Sequence, residues 1–435
     1  MRRRHWIVGA ILVAIIAAAA GLARLDAGQQ TVQAPIFEVD PLWPKPLPNH
    51  WLLGSAVGVA IDARDHIFVI SLPDSFNTRT EIGAATDPPT GECCLPSPNI
   101  LEFDAAGTLV SHWAARGGNI QVDGIDVGRA AWPVVNHGIA LDPQGNLWIG
   151  GAGGTDTHLL KFSRNGRTVV PVGQPTDAAA AAGARGTGVS DTAAGGRRGG
   201  RGGRGGGAQA PPALPPNSNA TDRFGGAAAV SFDAAANEAF IADGYRNRRV
   251  AVVDLTNGTV KRFWGAYGDP PADGPVAPYT PGATPARQFG TPVTCAELAA
   301  DGMVYICDRS NNRIQVFRKD GTFVQEKIIA PQTRGAGSVW DIAFSRDPQQ
   351  RYLYVADGMN MKVHILDRQS LDVLTSFGDG GRQPGQFYAV HSIATDSQGN
   401  IYTTETYQGK RVQKFVFRGV GTVTRANRGV VWPGR

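Results

Sequence analysis

The most regular stretch of the chain runs from His391 to Val416, HSIATDSQGNIYTTETYQGKRVQKFV. Apolar residues alternate with small or polar ones from Ser392 to Thr395, from Ile401 to Thr404 and from Arg411 to Phe417. Asp-Ser-Gln-Gly-Asn and a second polar turn separate the three runs. Period-two alternation bounded by Gly, Asn and Asp predicts short antiparallel strands joined by tight turns.

The same pattern recurs upstream. The copies are VGVAIDARDHIFVI, ending at Ile70, then HGIALDPQGNLWIGG (His137–Gly151) and AAVSFDAAANEAFIADGYRNRRVAVVD (Ala228–Asp254). TCAELAADGMVYICDRSNNRIQVFRKDGTFV (Thr294–Val324) and WDIAFSRDPQQRYLYVADGMNMKVHILD (Trp340–Asp367) follow. Alignment places Ala60, Ala140, Ser231, Glu297, Ala343 and Ala394 in one column, the last two intervals being 46 and 51 residues. That is the length of one four-stranded propeller blade. Six units predict an all-β chain forming one six-bladed β-propeller over residues 31–435. Either Ile36–Val39 or the strand-like tail Val420–Thr424 must complete the last blade, and the N-terminal segment is the preferred choice.

Two segments stand outside the repeat. Residues 1–30 read as an export signal, with Arg2–Arg4, the apolar run Ile7–Ala20 and small residues suited to cleavage. An uncleaved anchor is the alternative, since Ile7–Ala23 carries no charge for 17 residues, the short end for a membrane span. Either reading puts the body in the periplasm or outside the cell, with membrane contact only if the segment is retained. Residues 175–221 form a Gly/Arg/Pro-rich insert between blades two and three, expected to be disordered.

These segments also explain the charge. The formal net charge is +5, but residues 1–30 and 176–221 contribute +3 each, which leaves −1 on the remainder. The body therefore offers no electrostatic surface for nucleic acid or an anionic membrane. The Arg-Gly-Gly tract Arg197–Gly207 lacks the aromatic residues that would stack on bases.

The repeats place the cysteines. The hairpin turn in His137–Gly151 pairs position 138 with 150, and the equivalent pair in blade four is Cys295 and Cys307. We expect a disulfide between them, which requires Cα atoms within about 7 Å. Cys93 and Cys94 are neighbours in a loop and form either a vicinal disulfide or two thiols.

GNIYTTETYQGKRVQKF (Gly399–Phe415) and DGMVYICDRSNNRIQVF (Asp301–Phe317) resemble the NHL repeat. A narrower resemblance is to the peptidyl-hydroxyglycine amidating lyases, NHL-type six-bladed propellers. That resemblance implies a central zinc held by three His, each opening an inner strand, with a Tyr and an Arg acting on substrate. His137 in NHGIALD and His391 in VHSIATD match the His position, and Tyr245 in IADGYRNRRV matches the Tyr turn. The third His position falls on Thr294 and the first-blade Arg on Leu72, although Asp74 keeps its place.

His137 and His391 are thus the candidate metal ligands, for zinc or another divalent ion, and Tyr245 is the candidate catalytic group. Equivalent points of different blades converge on a propeller axis, and a catalytic zinc needs three protein ligands plus an open position. No sequence feature picks the third ligand; Glu297 lies three residues beyond the His column. The structural readings are that both His satisfy hydrogen bonds at the channel end and that Tyr245 packs at a turn, as Tyr407 would in blade six. Asp243, Asp308, Asp357 and Glu405 are most simply turn caps.

Three functions follow as expectations. One is a metal-dependent lyase acting on a small molecule or peptide. A second is a non-catalytic scaffold binding a protein, peptide or glycan on one face. A third is a lactonase-like hydrolase with calcium in the channel. No nucleophile elbow, P-loop or dinucleotide fingerprint is present.

Overall fold

The computed structural model describes residues 30–176 and 212–434, apart from 78, 80, 82, 87, 117, 118 and 168. The expected export segment up to residue 29 and the Arg-Gly-Gly tract lie outside the described residues. Among those described, no helix is long and apolar enough to cross a membrane.

The chain is a six-bladed β-propeller. Its inner strands are Ser55–Ile61, Asn136–Leu141, Ala227–Asp233, Val293–Leu298, Asp341–Phe344 and Val390–Thr395. Each pairs antiparallel with the next strand outward, and blades two to six are four-stranded sheets. Blade one widens to six strands because the hairpin Asn119–Val122 and Ile125–Arg129 is added at its edge. The repeat gave no sign of that hairpin.

Six apolar clusters fill the six seams. Phe68, Ile70, Ile139 and Ile149 join blades one and two. Trp148, Ala227 and Ile241 join two and three, and Phe240, Val293 and Ile306 join three and four. Ile314 packs on Leu353 between four and five, and Tyr354 on Phe415 between five and six. Tyr402 and Val412 meet Val59 and Ile67 to close six onto one. Because each sheet buries both faces on its neighbours, the ring must close for any blade to be covered.

Closure is also made by the backbone. Thr31–Asp40 is the outermost strand of blade six, paired with the long strand Arg411–Thr424 from Thr31↔Thr424 to Asp40↔Lys414. The preferred N-terminal segment therefore completes the blade. The tail Val420–Thr424 continues the third strand and supplies the partner for Thr31–Pro35.

The far end of the insert is ordered, which corrects the expectation of disorder up to Thr221. Ser218 is fully buried, and the carbonyls of Ser218 and Ala220 accept bonds of 2.9 and 2.6 Å from Arg249. A buried guanidinium needs these acceptors, so the Pro-rich stretch is held on blade three.

Both cysteine pairs are disulfides, and no described cysteine is free. Cys295 and Cys307 face each other with Cα atoms 4.8 Å apart, buried in the seam between blades four and five. The pairing in blade two differs by one residue from the expected 138–150: His137 opposes Gly150, and Gly138 is extruded as a bulge.

Replacing Cys295 and Cys307 together by Ala should lower unfolding stability by about 2–4 kcal/mol. Urea unfolding with and without reductant checks it; reductant should destabilise the parent protein more than the double variant, which retains only the Cys93–Cys94 bond.

Candidate active site

One residue near the start of each inner strand, or just ahead of it, joins a ring around the axis: Val57, His137, Ala228, Thr294, Trp340 and His391 all line one central cavity of about 470 Å³. The ring owes its shape to a repeated irregularity. In blades one to four and blade six the pairing slips at this level, between Ala56 and Gly58, His137 and Ile139, Ala227 and Ala229, Val293 and Cys295, and Val390 and Ser392. Such a bulge frees a residue from the ladder and re-aims its side chain. In blade two the extruded residue is Gly138, at φ +60, where an added Cβ would stand 2.1 Å from the Ala228 carbonyl. Only glycine lets His137 and blade three approach this closely.

The structure brings all three sequence-predicted site residues together. His137 Nε2 and His391 Nε2 are 3.2 Å apart, and the Tyr245 hydroxyl is 2.7 Å from His137 Nε2. His137 Nδ1 lies 3.0 Å from the Ala228 carbonyl. A carbonyl only accepts, so Nδ1 carries the proton and Nε2 presents its lone pair to Tyr245 and His391. His391 is sealed in the ring, its Nδ1 buried without a hydrogen-bond partner. Burial, then the His137 imidazole and the Arg309 guanidinium, hold its pKa well below 6.5, while the Val57 backbone acts weakly the other way. It is therefore neutral at physiological pH.

Tyr245 reaches the axis from the turn after the second strand of blade three. Its backbone N–H and that of Gly244 both donate to the Gly226 carbonyl at 3.2 Å. Gly244 has no space for a side chain, since a Cβ there would sit 2.0 Å from the Val293 carbonyl. Tyr407 does not reach the imidazoles in the same way. It sets its edge against Trp340, with centroids 6.2 Å apart. The shared column therefore carries two different roles.

Sequence reasoning missed Arg309. Its guanidinium lies 3.6 Å over the Trp340 ring, and Trp340 packs edge-on against His391. The side chain is 2% exposed, and its Nε donates to the Ala336 carbonyl at 2.9 Å. No carboxylate pairs with it among the described residues. The signal was present in Cys-Asp-Arg-Ser-Asn-Asn-Arg: the second Arg, Arg313, pairs with Asp308 at 2.6 Å, which leaves the first unassigned. Leu72, where the resemblance expects an Arg, is half-buried and packs in the apolar seam of blades one and two.

The donor set bears on a metal. Thr294 holds no ligand nitrogen and its hydroxyl turns to the Val339 carbonyl at 3.4 Å. Two imidazole nitrogens 3.2 Å apart match the spacing of about 3.3 Å that two ligands take on one tetrahedral zinc with bonds of about 2.05 Å. His137 is also oriented as ligating imidazoles usually are, with its other N–H on a carbonyl. The third donor available is the Tyr245 oxygen.

Among the described residues, the sole trio of His, Cys, Asp or Glu with ligand atoms in mutual reach is Asp62, His66 and Glu102, on blade one. Arg164 bonds Asp62 at 3.1 Å and Glu102 at 2.7 Å, and Arg64 bonds Asp62 at 3.0 Å. Those acids are neutralised by cations and link blade one to blade two.

Farther along the channel two carboxylates stand on neighbouring blades. Asp341 accepts the Ser392 hydroxyl at 2.7 Å and the Ile393 N–H at 3.0 Å. Glu297 makes no hydrogen bond to the described protein and lines the cavity with small residues at its level, Ala60, Ala140, Ser231, Ala343 and Ala394. Burial pushes Asp341 up to about 6, and burial with the Asp341 charge pushes Glu297 up to about 8.

Comparisons with known proteins leave the reaction open. No protein-family model and no curated protein matches the chain. Among solved structures, a streptogramin B lyase matches at 9% identity and TM-score 0.46, over 90% of this chain and 99% of that one. A virginiamycin B lyase from Staphylococcus aureus matches at 10% identity and TM-score 0.45, over 89% and 99%. A Bacteroides thetaiotaomicron protein of unknown function matches at 11% identity and TM-score 0.45, over 89% of this chain and 77% of that one. The function has to be argued from the geometry of the channel.

The raised carboxylates make a pH prediction. The folded chain holds a proton on Glu297 up to about pH 8, where the unfolded chain has lost it. Their contribution is full at low pH and is lost as pH rises through the folded values. As pH rises above the ordinary histidine value of 6.5 the opposing contributions of buried His391 and His158 fade, and up to about 8 Glu297 supplies the falling slope. The thermal midpoint should fall across that window, and Glu297→Gln should flatten the slope. An equal slope in the variant refutes the assignment.

Proposed function

We propose that the chain is a lyase of the propeller type, cleaving a C–O or C–N bond of a small anionic molecule or peptide at the channel mouth. One observation carries this reading: His137, Tyr245 and His391, from three blades, converge within hydrogen-bond distance on the axis. Arg309 stands beside them as an unpaired buried cation. A buried guanidinium without an acid is costly to keep. Its surroundings suit a substrate carboxylate.

The residues divide the work. Arg309 holds the anionic end of the substrate, with the Trp340 face fixing the guanidinium. Tyr245 and His137 form the proton-handling pair, because the neutral Nε2 lone pair takes the phenol proton as that oxygen accepts one from a substrate hydroxyl. As the hydroxyl loses its proton, a C=O bond forms and the bond to the neighbouring heteroatom breaks. That heteroatom leaves with the proton returned from the pair. With a divalent metal held by His137 and His391, the His137 Nε2 lone pair would be taken up, and the metal would polarise the substrate oxygen and leave the proton to Tyr245 alone. The ring's apolar members, Val57 and Ala228, keep bulk water from the reacting atoms.

The test combines metal content and turnover. Protein purified without chelator should carry up to one equivalent of a divalent metal, lost in His137→Ala plus His391→Ala. Tyr245→Phe should lower kcat by at least about 100-fold on a carbinolamide-type substrate. Arg309→Gln should mainly raise KM for substrates bearing a carboxylate and spare neutral ones. A double-His variant with unchanged metal content and unchanged turnover would falsify the reading.

A further inference from the structure

A second large cavity lies in the seam of blades five and six, on the opposite side of the propeller from the His ring. It has a volume of about 460 Å³, with Pro35, Arg346, Arg351, Tyr352, Tyr354 and Phe417 among its walls. Cavities of this size take small organic ligands.

The cavity holds an excess of donors. Tyr352 is 3% exposed, and its hydroxyl is sealed without any hydrogen-bond partner. Tyr354 beside it is 2% exposed and its hydroxyl likewise has no partner in the described protein. Burial raises both phenols above their ordinary value, so both remain protonated donors. A buried polar group without a partner is uncommon in a native protein and asks for an explanation.

The cations at the rim are equally uncommitted. Arg351 lies 5.3 Å over the Tyr352 ring, and no carboxylate pairs with its guanidinium. Arg346 uses Nε and Nη2 on the carbonyls of Asp396 and Thr395, at 3.1 and 2.8 Å, and has no acid partner. Asp347 also lines the cavity, but its oxygens accept the Ser345 hydroxyl and the Arg351 backbone N–H. Pro35, Phe417, Val420 and the tyrosine rings make the apolar part of the wall, and Gln349, Ser397 and Gln398 add polar groups to it.

We propose that this cavity is a binding site for a small carboxylic acid with a flat apolar body. The carboxylate would accept from the free guanidinium donors and the phenols, and the body would lie against Pro35 and Phe417. Charge-assisted bonds from an arginine fork suit a carboxylate better than a neutral oxygen. Arg346 also lines the far end of the central cavity, but the site stands apart from the channel mouth. The inner strand Val390–Thr395 has His391 at one end, and the Thr395 carbonyl that anchors Arg346 at the other. Four residues of strand separate them by about 13 Å.

Calorimetric titration of the full chain with 2-naphthoate, and with 2-naphthylmethanol as its neutral counterpart, tests the site. The acid should bind at one equivalent with a dissociation constant below about 1 mM, and the alcohol about tenfold more weakly or not at all. Arg351→Gln should weaken the acid about tenfold. Tyr352→Phe should weaken it several-fold while melting no lower than the parent, because its hydroxyl has no protein bond to lose. His391→Ala and Arg309→Gln should leave the affinity unchanged. The proposal falls if the acid does not saturate, if the alcohol binds equally, or if neither cavity variant alters the affinity. It also falls if the His391 or Arg309 variant abolishes binding, which would put the acid at the channel mouth.

Discussion

A buried carboxylate at the end of a second strand is the interaction on which the site's geometry rests. In blades three, four and six it pairs with an arginine opening the third strand: Asp243 with Arg249, Asp308 with Arg313, and Glu405 with Arg411, at 2.6–2.8 Å. Blade five uses His364 for Asp357. The same carboxylates accept backbone N–H groups ahead of the inner strands, from Gly225, Gly290 and Tyr388. In blade two Asp156 does this with Val134 and Val135. His137 follows Val135 by two residues, and His391 follows Tyr388 by three. The acids thus fix the entry of the strands that carry both imidazoles. Removing one partner of such a buried pair typically costs about 3–5 kcal/mol, because the other charge is left uncompensated.

With the strand entries fixed, the blade repeat converts sequence differences into a site. Six equivalent residues must meet at the axis, and their sizes decide what remains open. Ala228 is small enough for its carbonyl to receive His137 Nδ1. Trp340 fills the fifth place and provides the face that Arg309 covers. The lower ring follows the same logic with five small residues and Glu297, so a single carboxylate faces the channel there. Its proton affinity is raised by a setting that the backbone repeat creates and the side chains leave unpaired.

The fold was legible because period-two alternation and turn residues recur at blade length, and because Cys295 and Cys307 fall at opposed hairpin positions. The convergence of His137 and His391 was legible for the same reason, since equivalent columns meet on the axis, and Tyr245 only through the Tyr turn of the lyases the chain resembles. The one-residue slip at Gly138 was not, since a bulge leaves no mark in an alternation pattern that resumes after it. Nor was Arg309, because an arginine beside a turn acid is ordinarily its partner, and in the fold Arg313 takes that role. The order of Ser218 and Ala220 escaped notice because a Pro-rich composition looks disordered until a buried Arg249 needs its carbonyls. The Tyr352 and Tyr354 pair reads in sequence as ordinary alternation of a core strand.

The channel mouth bears on the choice between an enzyme and a passive scaffold. A scaffold needs its face to be complementary to a partner, and its axis only needs to be filled. Here the axis holds polar groups whose mutual requirements are not met by the protein. If His391 carries its proton on Nε2, that proton and the Tyr245 hydroxyl compete for one lone pair on His137, and Nδ1 stays unpartnered. If it carries the proton on Nδ1, two nitrogen lone pairs face each other at 3.2 Å. The first arrangement wastes a buried acceptor and the second repels unless a cation lies between the nitrogens. A buried arginine without an acid adds a third unmet demand within one side chain of the pair. Packing alone would be better served by apolar residues at all three places, as Val57 and Ala228 serve it in the same ring. A divalent cation held between the imidazoles and a substrate carboxylate on Arg309 would together meet these demands, which favours the catalytic reading over the scaffold.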